Sequence, residues 1–268
     1  MSSETPSPRP TAIITGGASG IGRATVDRLA PKLQALTVVD FNPAKVEETV
    51  KHLAQVQPGL PVLGHVADVR KPEDMEAMVA RTLEKFGRID VLIHAAGILR
   101  LPGSGPRLMH EISVEECHAV IDTNLKGTFL SNRSVLPAMI KQKGGQIVNI
   151  SSTSGKIGRA FDSVYCASKF GVVGLSEALA AEMSRYGIKV SVIMPDAVDT
   201  PLWDQNGPIS APDFSLPPDR VAAVIDYLIH LPPDTVLENV VISPFRGRKR
   251  KTKSASAPAA ESEPAPQP

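Results

Sequence analysis

Short apolar runs recur along this chain with helix-compatible stretches between them, and that alternation constrains the fold more than any other feature. The runs are Thr11–Thr15 (TAIIT), Leu36–Asp40 (LTVVD), Val62–Asp68, Val91–Ala95, Gln146–Ser151 (QIVNIS), Lys189–Met194 (KVSVIM) and Val240–Ser243 (VVIS). Most are apolar throughout rather than at every second residue, which predicts strands covered on both faces. Between them the spacing predicts helices at Ile21–Leu33, Asn42–Gln57, Pro72–Phe86, about Val114–Asp122, Asn124–Lys143, Val164–Tyr186 and Pro218–His230. Pro137 is expected to kink the fifth of these. Strand and helix in turn give one α/β domain, a doubly wound parallel sheet of about seven strands with helices on both faces.

The domain is expected to span 11–247. Residues 1–10 are polar and proline-rich and read as a disordered lead. Residues 248–268 are Lys/Arg followed by Ala, Ser, Pro and Glu, a disordered composition. That tail carries a net +3 within a chain of net +1, which leaves −2 for the rest. Its GRKRKTK stretch reads as a solvated basic tail, with a nuclear address or nucleic-acid contact as the alternative, so a nucleic-acid partner is not expected. Hydrophobic residues at 42% and charged residues at 21% are ordinary for a globular core. Cys117 and Cys166 make no disulfide framework. No apolar run reaches the ~18 residues of a membrane span, and the N-terminus lacks the apolar core of a signal peptide. A reducing, cytoplasmic setting without a membrane is the expectation.

Directly after the first strand comes Thr15-Gly-Gly-Ala-Ser-Gly-Ile-Gly22. Gly16, Gly20 and Gly22 there let the backbone turn tightly and approach an anion, while the N-terminus of the next helix faces it. Asp40 closes the second strand, where a carboxylate can accept hydrogen bonds from ribose hydroxyls and would repel a 2′-phosphate. Phe41 follows, where a base would favour the phosphorylated cofactor, so NAD is expected over NADP.

Further along, Tyr165 and Lys169 stand four apart, on one face of a predicted helix. A phenol titrates near pH ~10 and is a poor acid–base catalyst at neutrality; an ammonium held close stabilises the phenolate. Ser152, thirteen residues before Tyr165, can meet the pair if the chain runs strand, loop, helix.

Together these motifs resemble the short-chain dehydrogenase/reductase family over Thr11 to about Phe245. Asp68-Val69 after the third strand, Ala95-Ala96-Gly97 after the fourth and Asn124 in DTNLKG complete the pattern. The resemblance implies a Rossmann-like fold and a role for each position. Gly16, Ser19 and Ile21 would line the pyrophosphate, Asp68 and Val69 the adenine, and Ala95, Ala96 and Gly97 the adenosine ribose. Val198 and Thr200 fall where the nicotinamide carboxamide is held. Tyr165 would be the general acid or base, Lys169 would lower its pKa and hold the nicotinamide ribose, and Ser152 would bond the substrate oxygen. Asn124 would position a water in a proton relay towards Lys169. No metal is implied. The chain departs from the family in four places: His94 for an asparagine, where a core histidine satisfied by backbone groups is expected; Asp196 for a glycine; a longer Leu99–Gly105; and a different C-terminus. Leu99–Gly105 and Leu202–Phe214 are the expected pocket rim.

The expected function is NAD-dependent interconversion of a secondary alcohol and a ketone, on a small molecule. The classes are a polyol or hydroxysteroid-like alcohol, a small secondary alcohol, or a 3-oxoacyl thioester. The alternative is a non-catalytic NAD(H)-binding sensor or interaction module. A homotetramer or homodimer is implied, with the helices at 124–143 and 164–186 against a partner.

Overall fold

The computed structural model describes residues 9–245, and in it seven strands form one wholly parallel sheet in the order β3-β2-β1-β4-β5-β6-β7. The strands are β1 (Thr11–Thr15), β2 (Ala35–Asp40), β3 (Val62–Val66), β4 (Val91–His94), β5 (Gly145–Ile150), β6 (Ile188–Pro195) and β7 (Asn239–Ile242). The helices between them are α1 (Gly20–Leu29), α2 (Pro43–Val56), α3 (Pro72–Phe86), α4 (Val114–Ile121), α5 (Gly127–Gln142), α6 (Ser163–Met183) and α7 (Pro218–Ile229). The expected lead falls almost wholly, and the basic tail wholly, outside the described residues.

The sheet holds together because its central strands have no polar face. Every residue of β1 and β4 is buried, and successive residues feed opposite cores. Ile14, Ile93 and Val148 pack under α1 and α7. Ile13, Leu92 and Ile147 pack under α3, α5 and α6. Strand order reverses between β1 and β4, so the chain leaves their carboxyl ends in opposite directions and opens a crevice there.

Local signals set most helix ends. The Asn42 side chain accepts from Lys45 N–H to start α2, and Gly87 ends α3 at φ 77°. Pro137 lies inside α5, which continues through it. One expectation needs correction: the stretch predicted as helix from Asn124 begins as a π-helical turn, Asp122–Lys126. The other departures are shifts of a few residues. Among the described residues α6 and its 3₁₀ extension (Ser163–Tyr186, mean hydropathy 1.2) are long and apolar enough to cross a membrane by length and composition. This segment packs on β6 and β5, and Lys169 points from it into the interior.

Candidate active site

Two adjoining cavities open at the carboxyl edge. The larger, about 470 Å³, runs from Asp40, Asp68 and Val69 past Gly16, Ser19, Gly20 and Ile21 to Tyr165 and Lys169. Ala95, Ala96, Gly97 and Thr200 also line it. The smaller, about 220 Å³, holds Ser152, Val198 and Asp196. Ile21, Ser151, Tyr165, Thr200 and Leu202 belong to both walls. The structure therefore brings most expected residues to the larger groove, with Ser152 and Val198 on the smaller side and Gly22 and Asn124 behind the two linings.

The glycine loop is shaped by exclusion. A Cβ on Gly16, at φ +65°, would sit 2.7 Å from the Ala96 backbone nitrogen, and one on Gly22 would sit 2.0 Å from the Gly16 carbonyl oxygen. No side chain fits at either, so the loop presents bare backbone and the start of α1 to the groove. At the far end Asp40 accepts from Ala18 N–H at 3.2 Å and Asn42 N–H at 3.1 Å, which fixes its carboxylate while leaving it on the groove wall. Arg70 grips the Asp68 carboxylate at 2.6 Å and holds its pKa below the usual range. Val69 is buried against Gly127, where a Cβ would come within 2.8 Å of it.

The π-helical turn presents Asn124 inward. Its side-chain Nδ2 donates to the Ile98 carbonyl at 2.8 Å and to Ser168 Oγ at 3.0 Å, while Oδ1 accepts from Ile98 N–H at 2.8 Å. Asn124 thus ties α6 to the strand-end loop, and both its amide groups are engaged. A Cβ on Gly97 would lie 3.1 Å from Asn124 Oδ1, a tight contact, and 3.5 Å from Lys169 Nζ, so glycine gives the Asn124 amide the most room at that wall.

Lys169 is buried and donates to the Ile150 carbonyl at 2.9 Å; its Nζ is 5.7 Å from the centre of the Tyr165 ring. Burial pulls its pKa down to about 8. Tyr165 is hydrogen-bonded to the Ser152 side chain, but burial outweighs that bond and, with the nearby Asp162 charge, pushes the phenol up to about 12. The expectation that Lys169 makes Tyr165 acidic is therefore corrected for the protein alone: desolvation wins. Ser152 Oγ also accepts from Ser154 N–H at 3.1 Å, whereas Ser151 Oγ is committed to the Lys169 carbonyl at 2.8 Å.

His94 differs from expectation. Its partner is a side chain: Nδ1 meets Thr15 Oγ1 at 2.8 Å, and Nε2 is buried with no partner among the described residues. Burial, and then the Lys169 charge, lower its pKa to about 3, so it stays neutral and is no proton donor to the site.

Three features were not legible in the sequence. Arg100, 5% exposed, pairs with Asp162 at 2.5 Å. The Gln205 side chain accepts from Leu99 N–H at 2.7 Å and Arg100 N–H at 3.2 Å, tying the two rim segments together. Arg159 donates to Thr153 Oγ1 at 2.9 Å and to Asp196 at 3.2 Å on the wall of the smaller cavity.

Comparison with known proteins agrees with this geometry. The family described as short chain dehydrogenase matches residues 10–208. The chain belongs to the short-chain dehydrogenase family. One relative within this family is levodione reductase of Leifsonia aquatica, 39% identical over 195 residues, covering 72% of this chain and 71% of that one. A crystal structure of levodione reductase superposes with TM-score 0.80 at 32% identity, over 88% of this chain and 96% of that one. The subunit BbsD of (2S)-[(R)-hydroxy(phenyl)methyl]succinyl-CoA dehydrogenase from Thauera aromatica is 39% identical over 194 residues, 72% of this chain and 75% of its own. An actinorhodin polyketide ketoreductase variant solved with NADPH gives TM-score 0.77 at 32% identity, over 88% of this chain and 96% of that one.

Proposed function

We propose that this short-chain dehydrogenase interconverts a secondary alcohol and a ketone with NAD, Tyr165 exchanging the proton at the substrate oxygen. One observation carries the reading: the long groove and the smaller cavity share the Tyr165 wall, with Ser152 bonded to the phenol. A dinucleotide fits the groove because its glycines leave no Cβ in the anion's path and Asp40 stands at the far end. Bound there, the nicotinamide would supply or accept the hydride.

The residues then divide the remaining work. Gly16, Ser19, Gly20 and Ile21 cradle the pyrophosphate, and Gly22 keeps that turn closed. Asp40 accepts from the ribose hydroxyls, which favours NAD; Lys45 and Arg70 on the same wall are the groups a 2′-phosphate would need to recruit. Asp68 and Val69 border the adenine, and Ala95, Ala96 and Gly97 the ribose. Val198 and Thr200 face the nicotinamide end. Lys169 holds its ribose and favours phenolate when its ammonium approaches, Ser152 orients the substrate oxygen, and Asn124 keeps the route behind Lys169 open to a relaying water. Homo-oligomerisation through α5 and α6 is part of the reading, supported by Phe129 and Phe170, which are 49% and 45% exposed on those helices.

The test is NADH fluorescence on binding, together with turnover of a ketone panel that includes a 3-oxoacyl thioester, with Tyr165→Phe as control. Binding with no turnover across the panel would favour a sensor module over an enzyme. Equal activity with NADPH would overturn the role given to Asp40.

A further inference from the structure

The lining of the smaller cavity includes paired charges. Arg159, Asp162 and Asp196 are its charged residues, and each has an ionic partner: Arg159 with Asp196, and Asp162 with Arg100. An anionic substrate group placed at the Arg159–Asp196 pair would meet the Asp196 carboxylate as well as Arg159, and a cationic group would meet the guanidinium as well as Asp196. A hydroxyl suits both, because it donates to the carboxylate and accepts from the guanidinium at once. The Thr153 hydroxyl stands between them, 2.9 Å from the Arg159 nitrogen and 3.4 Å from the Asp196 oxygen, so one side-chain hydroxyl already occupies that kind of position. Leu99, Leu202, Trp203 and Phe214 are among the apolar residues of the lining. At about 220 Å³ the cavity lies below the ~300–1,000 Å³ common for drug-sized ligands.

We propose that Thr153, Arg159 and Asp196 form a subsite for a second, non-reacting hydroxyl of the substrate, so that the enzyme acts on compact neutral diols and hydroxyketones in preference to simple alcohols. The inference rests on the reading of Tyr165 as the acid–base group. In oxidation the carbinol carbon would give its hydride to the bound nicotinamide and its hydroxyl would give a proton to the Tyr165 phenolate; the second hydroxyl is unchanged. Asp196 stands where the family often has glycine, so the subsite belongs to this chain rather than to the fold.

The experiment compares cyclohexanol with its 1,2-, 1,3- and 1,4-diols, using the full chain with NAD and, in parallel, NADP. In the wild type the best diol is expected to exceed cyclohexanol in kcat/KM by about tenfold or more, mostly through KM, as the loss of a hydrogen bond to a charged group implies. In Arg159→Met and in Asp196→Gly that ratio is expected to collapse towards one. Equal kcat/KM in the wild type, or a preference that survives both substitutions, overturns the subsite. Saturation-transfer NMR of the same probes reads binding without turnover. Diols that bind the wild type but neither variant, with no probe oxidised, keep the subsite and sink the acid–base reading. Absence of diol binding to the wild type sinks the subsite.

Discussion

Arg100 and Asp162, 62 residues apart in sequence, close an ion pair at the first turn of the helix that carries Tyr165. The guanidinium is nearly sealed from solvent, with 6% side-chain exposure against 23% for the carboxylate. Asp162 is the residue before α6, yet its side chain caps no helix N–H; it is spent on Arg100 instead. The pair anchors the rim segment to α6 and sets a negative charge beside the phenol.

Asp162→Asn removes a charge that opposes phenolate, so the pKa of Tyr165 falls. Alcohol oxidation needs the base form, and the acid limb of its pH–rate profile is expected to move to lower pH, by up to about one unit. The same change leaves Arg100 with a weaker acceptor and costs about 1.5–3 kcal/mol in a denaturation experiment. A limb that stays in place would show that the carboxylate acts on the fold alone.

In the protein without ligand, Tyr165 is expected to remain a neutral phenol well above the ordinary range. Ultraviolet difference titration of wild type against Tyr165→Phe should show no tyrosinate from this residue at pH 10 and a transition near about 12. A transition at or below pH 10 would mean that Lys169 already overrides burial before any cofactor arrives.

Gly22→Ala forces a methyl group to within 2.0 Å of the Gly16 carbonyl. The loop must open, at a cost of about 1–3 kcal/mol for overpacking, and the bare backbone that faces the groove is displaced with it. Loss of NADH fluorescence enhancement with the thermal unfolding only moderately lowered is the expected result. Unchanged NADH affinity would mean that the loop does not hold the pyrophosphate.

His94 gives stability a pH dependence. Its pKa is about 3 when folded against 6.5 ordinarily, so between these values the unfolded chain binds a proton that the folded chain refuses. Stability therefore falls as pH falls through that window, by about 1.4 kcal/mol per pH unit. Urea denaturation at pH 7 and pH 5 should show the loss in wild type and a smaller loss in His94→Asn. Equal losses would place the sensitivity elsewhere.

The groove could be anticipated from sequence because its parts are local. Glycines after β1, an acid closing β2, and a tyrosine and lysine one helical turn apart are each fixed by spacing within one element or one turn. The polar contacts around the smaller cavity and the rim were not legible, because their partners meet only through the path of the loops: Leu99 with Gln205, 106 residues apart, and Arg159 with Asp196, 37 apart. The electrostatics of Tyr165 were misjudged for a related reason. Spacing announces the ammonium but says nothing of how much water the fold removes. His94 was read correctly as a core residue and wrongly as one served by backbone, since its hydrogen-bond partner is set by strand register.

The π-helical turn at Asp122–Lys126 also has a genetic consequence. Such a turn holds one residue more than the α-helix around it needs. Deleting Thr123 would let α4 and α5 fuse into one uninterrupted α-helix, with no gap for the chain to bridge. The registers of α4 and α5 would be kept, because the residue lost is the surplus one, while the turn itself re-forms and moves Asn124 away from Ile98 and Ser168. A frame-preserving loss of three nucleotides here would yield a chain that still folds and no longer carries that amide in place.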